Sequence, residues 1–226
     1  MELFLDTANL DEIEEILTWG ITKGLTTNQK IFQKEKGTDF KAHVRKILGM
    51  IDGPVSLEVT ESGLEGILRE AEEYSKWGKN VVIKVPMWGD GKGLKIASTL
   101  EKRGIKVNMT AMMSTAQVML AASAGTTYAS LFYNRIKDAN EDPERVIRES
   151  RTLVDAMGTK TKIIVGSIRD PSDVVKAALS GAHIVTVPYK MLIKMPFHQK
   201  TEETIKEFDW PGRTSSWARR SEPEPR

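Results

Sequence analysis

A single (β/α)8 (TIM) barrel with an extra C-terminal helix is the fold this sequence predicts, from three observations. Short apolar, β-branched runs alternate with stretches of helical periodicity, eight pairs in all, along the first 210 residues. Glycine follows nearly every helical stretch. The first strand is followed by Asp6-Thr7-Ala8-Asn9, with no Gly-rich phosphate loop. The alternative, an open doubly wound sheet, predicts such a loop there.

Leu3-Phe4-Leu5-Asp6 is the first strand. Asn9 caps the next helix, with Glu12 three residues on as in a capping box, and Leu10, Ile13, Ile16 and Leu17 repeat at helical spacing up to Gly20. Gly24–Asn28 is the second strand, and a helix through Phe40, Val44, Ile47, Leu48 and Ile51 ends at Gly53. Val55–Thr60 is the third, followed by a helix through Leu64, Ile67, Leu68, Ala71 and Tyr74 to Gly78. Val81–Pro86 is the fourth, and its helix runs through Leu94, Ala97 and Leu100 to Gly104. Ile105–Met112 is the fifth, with a helix over Ser114–Ala124 before Gly125. Tyr128–Tyr133 is the sixth; Asp142-Pro143 then opens a helix with proline at its first position, and Val146, Ser150, Leu153 and Met157 form its inner face. Lys162–Ser167 is the seventh, and Pro171 starts a helix through Val174, Val175 and Leu179. Ile184–Pro188 is the eighth, and Lys200–Phe208 is a last amphipathic helix. Residues 211–226 are rich in Pro, Ser, Arg and Glu without periodicity, and read as a flexible tail behind a domain of residues 1–210.

Composition narrows the function. The 226 residues are 40% hydrophobic and 28% charged, an ordinary globular balance. With 33 basic and 31 acidic residues the net charge is +2, which implies no broad attraction to nucleic acid. Absence of cysteine excludes disulfides, thiol catalysis and zinc–thiolate sites, and His43, His183 and His198 are too scattered for a metal-ligand pattern. No apolar run of about 18 residues spans a membrane, and the N-terminus lacks a basic-then-apolar leader. The expectation is a soluble cytoplasmic protein.

The fourth strand carries the chemistry. Val81-Val82-Ile83-Lys84-Val85-Pro86 places one lysine in a run that otherwise reads as buried. On a half-exposed strand Lys84 would simply face solvent. Withdrawn from water, a lysine is pushed toward its neutral form, a nucleophile for carbonyls. In a barrel, functional residues gather at the C-terminal strand ends. The polar residues there are Asp6, Thr26, Asn28, Glu58, Lys84, Asn108, Thr110, Ser130, Arg135, Ser167 and Arg169. Together they fit one reaction. Lys84 forms a Schiff base with a ketone, and Asp6 takes a hydroxyl proton as the neighbouring C–C bond breaks. Glu58 shuttles protons through a water held by Thr110. Thr26, Asn28, Asn108 and Ser130 bond sugar hydroxyls, and Arg135, Ser167 and Arg169 grip an anion.

Over residues 1–210 the sequence resembles the transaldolase family, in particular its short members, which include fructose-6-phosphate aldolases. The resemblance rests on Phe4-Leu5-Asp6-Thr7-Ala8-Asn9, Gly24-Leu25-Thr26-Thr27-Asn28, Ile83-Lys84-Val85-Pro86-Met87, Asn108-Met109-Thr110, Phe132-Tyr133-Asn134-Arg135 and Ser167-Ile168-Arg169. It implies a (β/α)8 barrel, a Schiff base on Lys84, Asp6 as acid/base, Glu58 and Thr110 around a catalytic water, and a phosphate site at Arg135, Ser167 and Arg169. It implies phosphorylated or otherwise anionic sugars as substrates. No metal or organic cofactor, nucleic acid or membrane partner is implied. A homo-oligomer, pentamer or decamer, using the C-terminal helix across subunits is implied as well.

Glu58 and Phe132 match transaldolases, whereas the fructose-6-phosphate aldolases tend to place glutamine and tyrosine there. Phe132 cannot donate a proton to the Schiff-base intermediate, which favours transfer to an acceptor over release of free dihydroxyacetone. Three positions depart from the family pattern. Gln29-Lys30 stands where proline and a small residue are usual, Leu131 where proline is usual, and Trp88 where threonine is common. Lys30 and Trp88 lie beside strand ends, where they either reshape the substrate's distal end or the anion site, or reflect loop drift. A sulfonated ketose therefore stands as an alternative to a phosphorylated one.

Overall fold

The computed structural model describes residues 1–32 and 39–208; the tail expected at 211–226 lies outside the described residues. The eight strands are β1 (Glu2–Asp6), β2 (Thr22–Thr26), β3 (Val55–Glu58), β4 (Val81–Pro86), β5 (Val107–Met112), β6 (Tyr128–Phe132), β7 (Lys162–Gly166) and β8 (Ile184–Pro188). They form a closed parallel barrel in sequence order, with β1 also paired to β8. The helices are α1 (Leu10–Thr18), α2 (Gln29–Phe32), α3 (Phe40–Met50), α4 (Leu64–Ser75), α5 (Lys92–Lys102), α6 (Thr115–Ser123), α7 (Tyr133–Asp138), α8 (Pro143–Ala156), α9 (Pro171–Leu179), α10 (Tyr189–Leu192) and α11 (Gln199–Glu207). The barrel lies in one unit, Met1–Leu192; α11 belongs to a second, Ile193–Arg226, and there His198 caps it by accepting from the Lys200 N–H at 3.2 Å. Among the described residues no helix is long and apolar enough to cross a membrane.

Alternation along each strand sorts the barrel into layers, because successive side chains point to opposite faces. The lower interior is an apolar plug of Phe4, Val82, Tyr128, Ile164 and Ile184, with Phe4 meeting Tyr128 edge-on at 6.4 Å. Two residues further along the same strands come Asp6, Lys84, Ser130 and Thr186, which face the same way. Leu5, Ile83, Val85, Ala129 and Val185 point outward and are buried under the helices.

Helix ends follow local chemistry. Asn9, Asp39, Ser114, Asp142 and Asp170 accept from first-turn N–H groups of α1, α3, α6, α8 and α9. Pro143 and Pro171 open α8 and α9 as expected. At α1 the Glu12 carboxylate accepts from the Thr7 hydroxyl, tying the helix to the loop after β1.

Three short helices depart from expectation. α7 begins at Tyr133, where the sixth strand was expected to continue, while α2 and α10 lie in segments to which the sequence assigned no element. Phe132 makes no side-chain cap for α7, so no start signal marks it.

One close approach braces β4. A Cβ on Gly93, in the first turn of α5, would stand 2.3 Å from the carbonyl oxygen of Pro86. Gly93→Ala is expected to cost about 1–3 kcal/mol of stability, the usual penalty for overpacking. Urea unfolding measures it, and an unchanged midpoint would show that the loop yields instead.

Candidate active site

Strand register brings distant residues into one layer. Lys84 pairs with Glu58 on β3 and Asn108 on β5, and Asp6 pairs with Thr26 on β2. Lys84 is 8% exposed, and its Nζ donates to the carbonyl of Thr27 at 3.1 Å. That carbonyl is held in turn, since the Thr27 hydroxyl donates to the Ser56 carbonyl at 2.8 Å. A lysine kept by a single neutral acceptor in a polar cavity is free to turn toward a ligand.

Asp6 Oδ1 accepts from the Thr26 hydroxyl at 2.7 Å, and Thr26 also bonds the Thr186 hydroxyl at 2.6 Å. Burial pushes the Asp6 carboxyl above the usual aspartate range; the nearby Lys84 charge and the Thr26 hydrogen bond only partly offset this. On the other side, Ser130 donates to Asn108 Oδ1 at 2.6 Å and Asn108 donates to Ser56 Oγ at 3.1 Å, which fixes the Asn108 amide.

Thr110 is 2% exposed and its hydroxyl is buried without a hydrogen-bond partner. Five other buried side-chain atoms among the described residues share this state, and Thr110 is set apart by bordering the cavity described below. The ladder between β5 and β6 shifts register between Met109 and Met112, and Ala111 has φ 60°. Such irregularities re-aim side chains at sites of function. Glu58 reaches the cavity from the end of β3, and its Oε2 accepts from the Gln29 N–H at 3.2 Å.

These groups line one open cavity of about 490 Å³, within the range of small-molecule sites. Of the residues expected from the sequence, Asp6, Thr26, Asn28, Glu58, Lys84, Asn108, Thr110, Ser130, Phe132, Arg135 and Ser167 all border it. The Asn28 side chain also caps α2, accepting from the Ile31 N–H at 3.0 Å. Ser167 has φ 59°, and its carbonyl accepts from the Asn134 side chain at 2.8 Å and the Asn134 N–H at 3.3 Å.

Two expected neighbours stand elsewhere. Arg169 does not border the cavity: its guanidinium forks onto Asp138, with Nη1–Oδ1 2.8 Å and Nη2–Oδ2 2.6 Å. Trp88 does not border it either, and packs under the Lys92 ammonium, 4.4 Å from the ring centre. Lys30 does line the cavity. Thr186 was not singled out from the sequence. Its signal was a polar residue in the inward register of the eighth strand, but a β-branched threonine passes as ordinary strand filler. Among the described residues no cluster of three or more His, Asp or Glu could hold a metal ion.

The profile of the transaldolase/fructose-6-phosphate aldolase family matches residues 3–220. Probable transaldolases of Desulforudis audaxviator (strain MP104C) and Thermoanaerobacter sp. (strain X514) are 46% and 45% identical over 212 residues, covering 93% of this chain and 97% of each relative. A probable transaldolase of Carboxydothermus hydrogenoformans is 45% identical over 212 residues, covering 93% of this chain and 98% of its own. Among solved structures, inosine 5′-monophosphate dehydrogenase from Legionella pneumophila matches with a TM-score of 0.57 at 16% identity, over 83% of this chain and 58% of that one, a likeness of fold alone. With a profile match along nearly its whole length and relatives close to half identical, the chain belongs to the transaldolase/fructose-6-phosphate aldolase family.

Proposed function

We propose that the protein is a transaldolase that moves a dihydroxyacetone unit from a ketose phosphate to an aldose phosphate through a Schiff base on Lys84. The observation that carries this is a buried lysine bordering a cavity that it shares with the half-buried Asp6 carboxylate, whose proton affinity is raised, and with Thr110.

In this mechanism Lys84 Nζ adds to the ketose C2 carbonyl, and loss of water gives an iminium. Asp6 takes the proton of the C4 hydroxyl, the C3–C4 bond breaks, and its electrons pass into the iminium to leave an enamine. The aldose departs. The enamine then attacks the carbonyl carbon of an incoming aldehyde, Asp6 returns the proton, and hydrolysis frees the new ketose. Glu58 and a water held by Thr110 serve the dehydration and hydrolysis steps. Thr26, Asn28, Asn108 and Ser130 bond the sugar hydroxyls, and Arg135, Ser167 and Arg169 hold the phosphate. The proposal includes a cytoplasmic homo-oligomer, pentamer or decamer, and a domain of residues 1–210 ending in the C-terminal helix.

Phe132 borders the cavity and favours transfer over release of free dihydroxyacetone, because a phenyl ring offers no proton to the enamine. Fructose 6-phosphate supplied with and without an aldose acceptor tests this. Turnover is expected to depend on the acceptor, and rapid cleavage without one would favour the aldolase reading instead. Phe132→Tyr is expected to raise acceptor-independent cleavage by about a hundredfold, the lower end of the range for one positioned proton donor. A release assay for dihydroxyacetone reads it, and an unchanged rate would remove Phe132 from this role. A substrate panel including a sulfonated ketose tests the identity of the anion.

A further inference from the structure

Arg169 and Asp138 stand at the rim of the barrel, on the β7–α9 loop and at the end of α7. Their fork uses both terminal guanidinium nitrogens and both carboxylate oxygens, at 2.8 and 2.6 Å. Both side chains are about half exposed (51% and 46%), so solvent screens the pair and its loss costs little. The backbone beneath Arg169 is fixed, by contrast. The buried Asp173 carboxylate accepts from the N–H groups of Arg169 at 3.1 Å and Asp170 at 3.0 Å, and from the Asn134 side chain at 2.7 Å. Asn134 also holds the Ser167 carbonyl. Ser167 therefore stays at the cavity wall while the Arg169 side chain, on the same braced loop, is turned away onto a carboxylate. Arg135 lies one turn before Asp138 on α7 and borders the cavity; among the described residues it has no ion-pair partner within salt-bridge distance.

Resting on the phosphate-site reading given under Proposed function, we propose that Asp138 is a positioning and specificity residue that competes with the substrate's anionic group for Arg169. In the free protein Asp138 holds the guanidinium off the cavity. A phosphate seated at Arg135 and Ser167 offers a dianion with the same forked geometry and draws Arg169 inward. Asp138 is left solvated. Ligands without an anion cannot make this exchange, so the pair raises the threshold for weakly charged ligands and leaves neutral ones unaffected. The state reached on binding gains a third anion contact that the free site lacks.

The test uses the full chain and four proteins: wild type, Asp138→Asn, Arg169→Ala and the double variant. Two quantities are read, the inhibition constant of inorganic phosphate and the KM of fructose 6-phosphate, with D-fructose as the neutral control. Asp138→Asn is expected to tighten phosphate and fructose 6-phosphate by about three- to tenfold, with D-fructose within twofold of wild type. The gain should vanish in the Arg169→Ala background, because the competition has lost its object. Weaker phosphate binding by Asp138→Asn would overturn the proposal, showing that Asp138 presents Arg169 to the anion instead of withholding it. An equal gain in both backgrounds would also overturn it, since Asp138 would then act only through its field on Arg135. If Arg169→Ala alone leaves phosphate inhibition unchanged, Arg169 takes no part in anion binding, and the phosphate-site reading fails at that residue separately.

Discussion

Replacement of Lys84 by methionine is expected to lower turnover at least a thousandfold, and sodium borohydride with fructose 6-phosphate should then leave no adduct on the chain. In the wild type, the same treatment should place a reduced ketose adduct on the peptide carrying Lys84. The size of the loss follows from the chemistry, since removal of a covalent nucleophile abolishes the intermediate and leaves only binding and orientation. Methionine keeps much of the buried volume on β4, so circular dichroism should show a folded barrel. Lys84→Arg is the sharper control, because it keeps a positive charge beside Asp6 but forms no Schiff base under these conditions. An adduct that persists in either variant, or that maps to another lysine, would remove Lys84 from the mechanism.

Asp6→Asn is expected to lower kcat/KM by about 10²–10⁴-fold, the range for loss of a general base, while making the protein more stable. Burial raises the Asp6 carboxyl above its ordinary value, so the folded chain holds this proton at pH values where the unfolded chain has released it. Stability from this group is therefore highest below the unfolded value and falls as pH rises between the unfolded and folded values. Above that window the ionised carboxylate is a standing cost. Asparagine still accepts from Thr26 and carries no charge. Its Tm at pH 7–8 should exceed that of the wild type by about 2–4 °C, the shift that roughly 1 kcal/mol gives in a chain of this size. The difference should shrink as pH approaches 4. Equal melting temperatures throughout would show that Lys84 fully compensates the buried charge. The wild-type activity profile should have an acid limb above the ordinary carboxylate range, because only ionised Asp6 accepts a proton.

The barrel could be read from local signals. Runs such as Val81–Pro86 and Ile184–Pro188 coincide with β4 and β8, because β-branched runs bounded by glycine and proline fit a pleated, packed surface. Gly20, Gly104, Gly125, Gly158 and Gly181 follow helices with positive φ, as their places in the sequence foretold, whereas Gly53 and Gly78, also read as helix ends, do not take positive φ. Boundaries were less legible. Thr27 and Asn28 lie past the end of β2, although the Thr27 N–H still donates to the Ser56 carbonyl at 3.1 Å, and Tyr133 begins a helix where the apolar run of β6 carries on in the sequence.

By itself, then, the sequence determined the order of strands and helices and the strand that carries each polar residue, since both depend on neighbours a few positions away. Only the tertiary structure decided which polar groups share a cavity and in what state. Asp6, Thr26 and Thr186 form one hydrogen-bonded chain across separations of 20 and 160 residues. The orphaned hydroxyl of Thr110, the raised proton affinity of Asp6 and the tether of Arg169 to Asp138 likewise arise from closure of the barrel. Burial, register and ion pairing are properties of the space around a side chain, and that space does not exist until β1 meets β8.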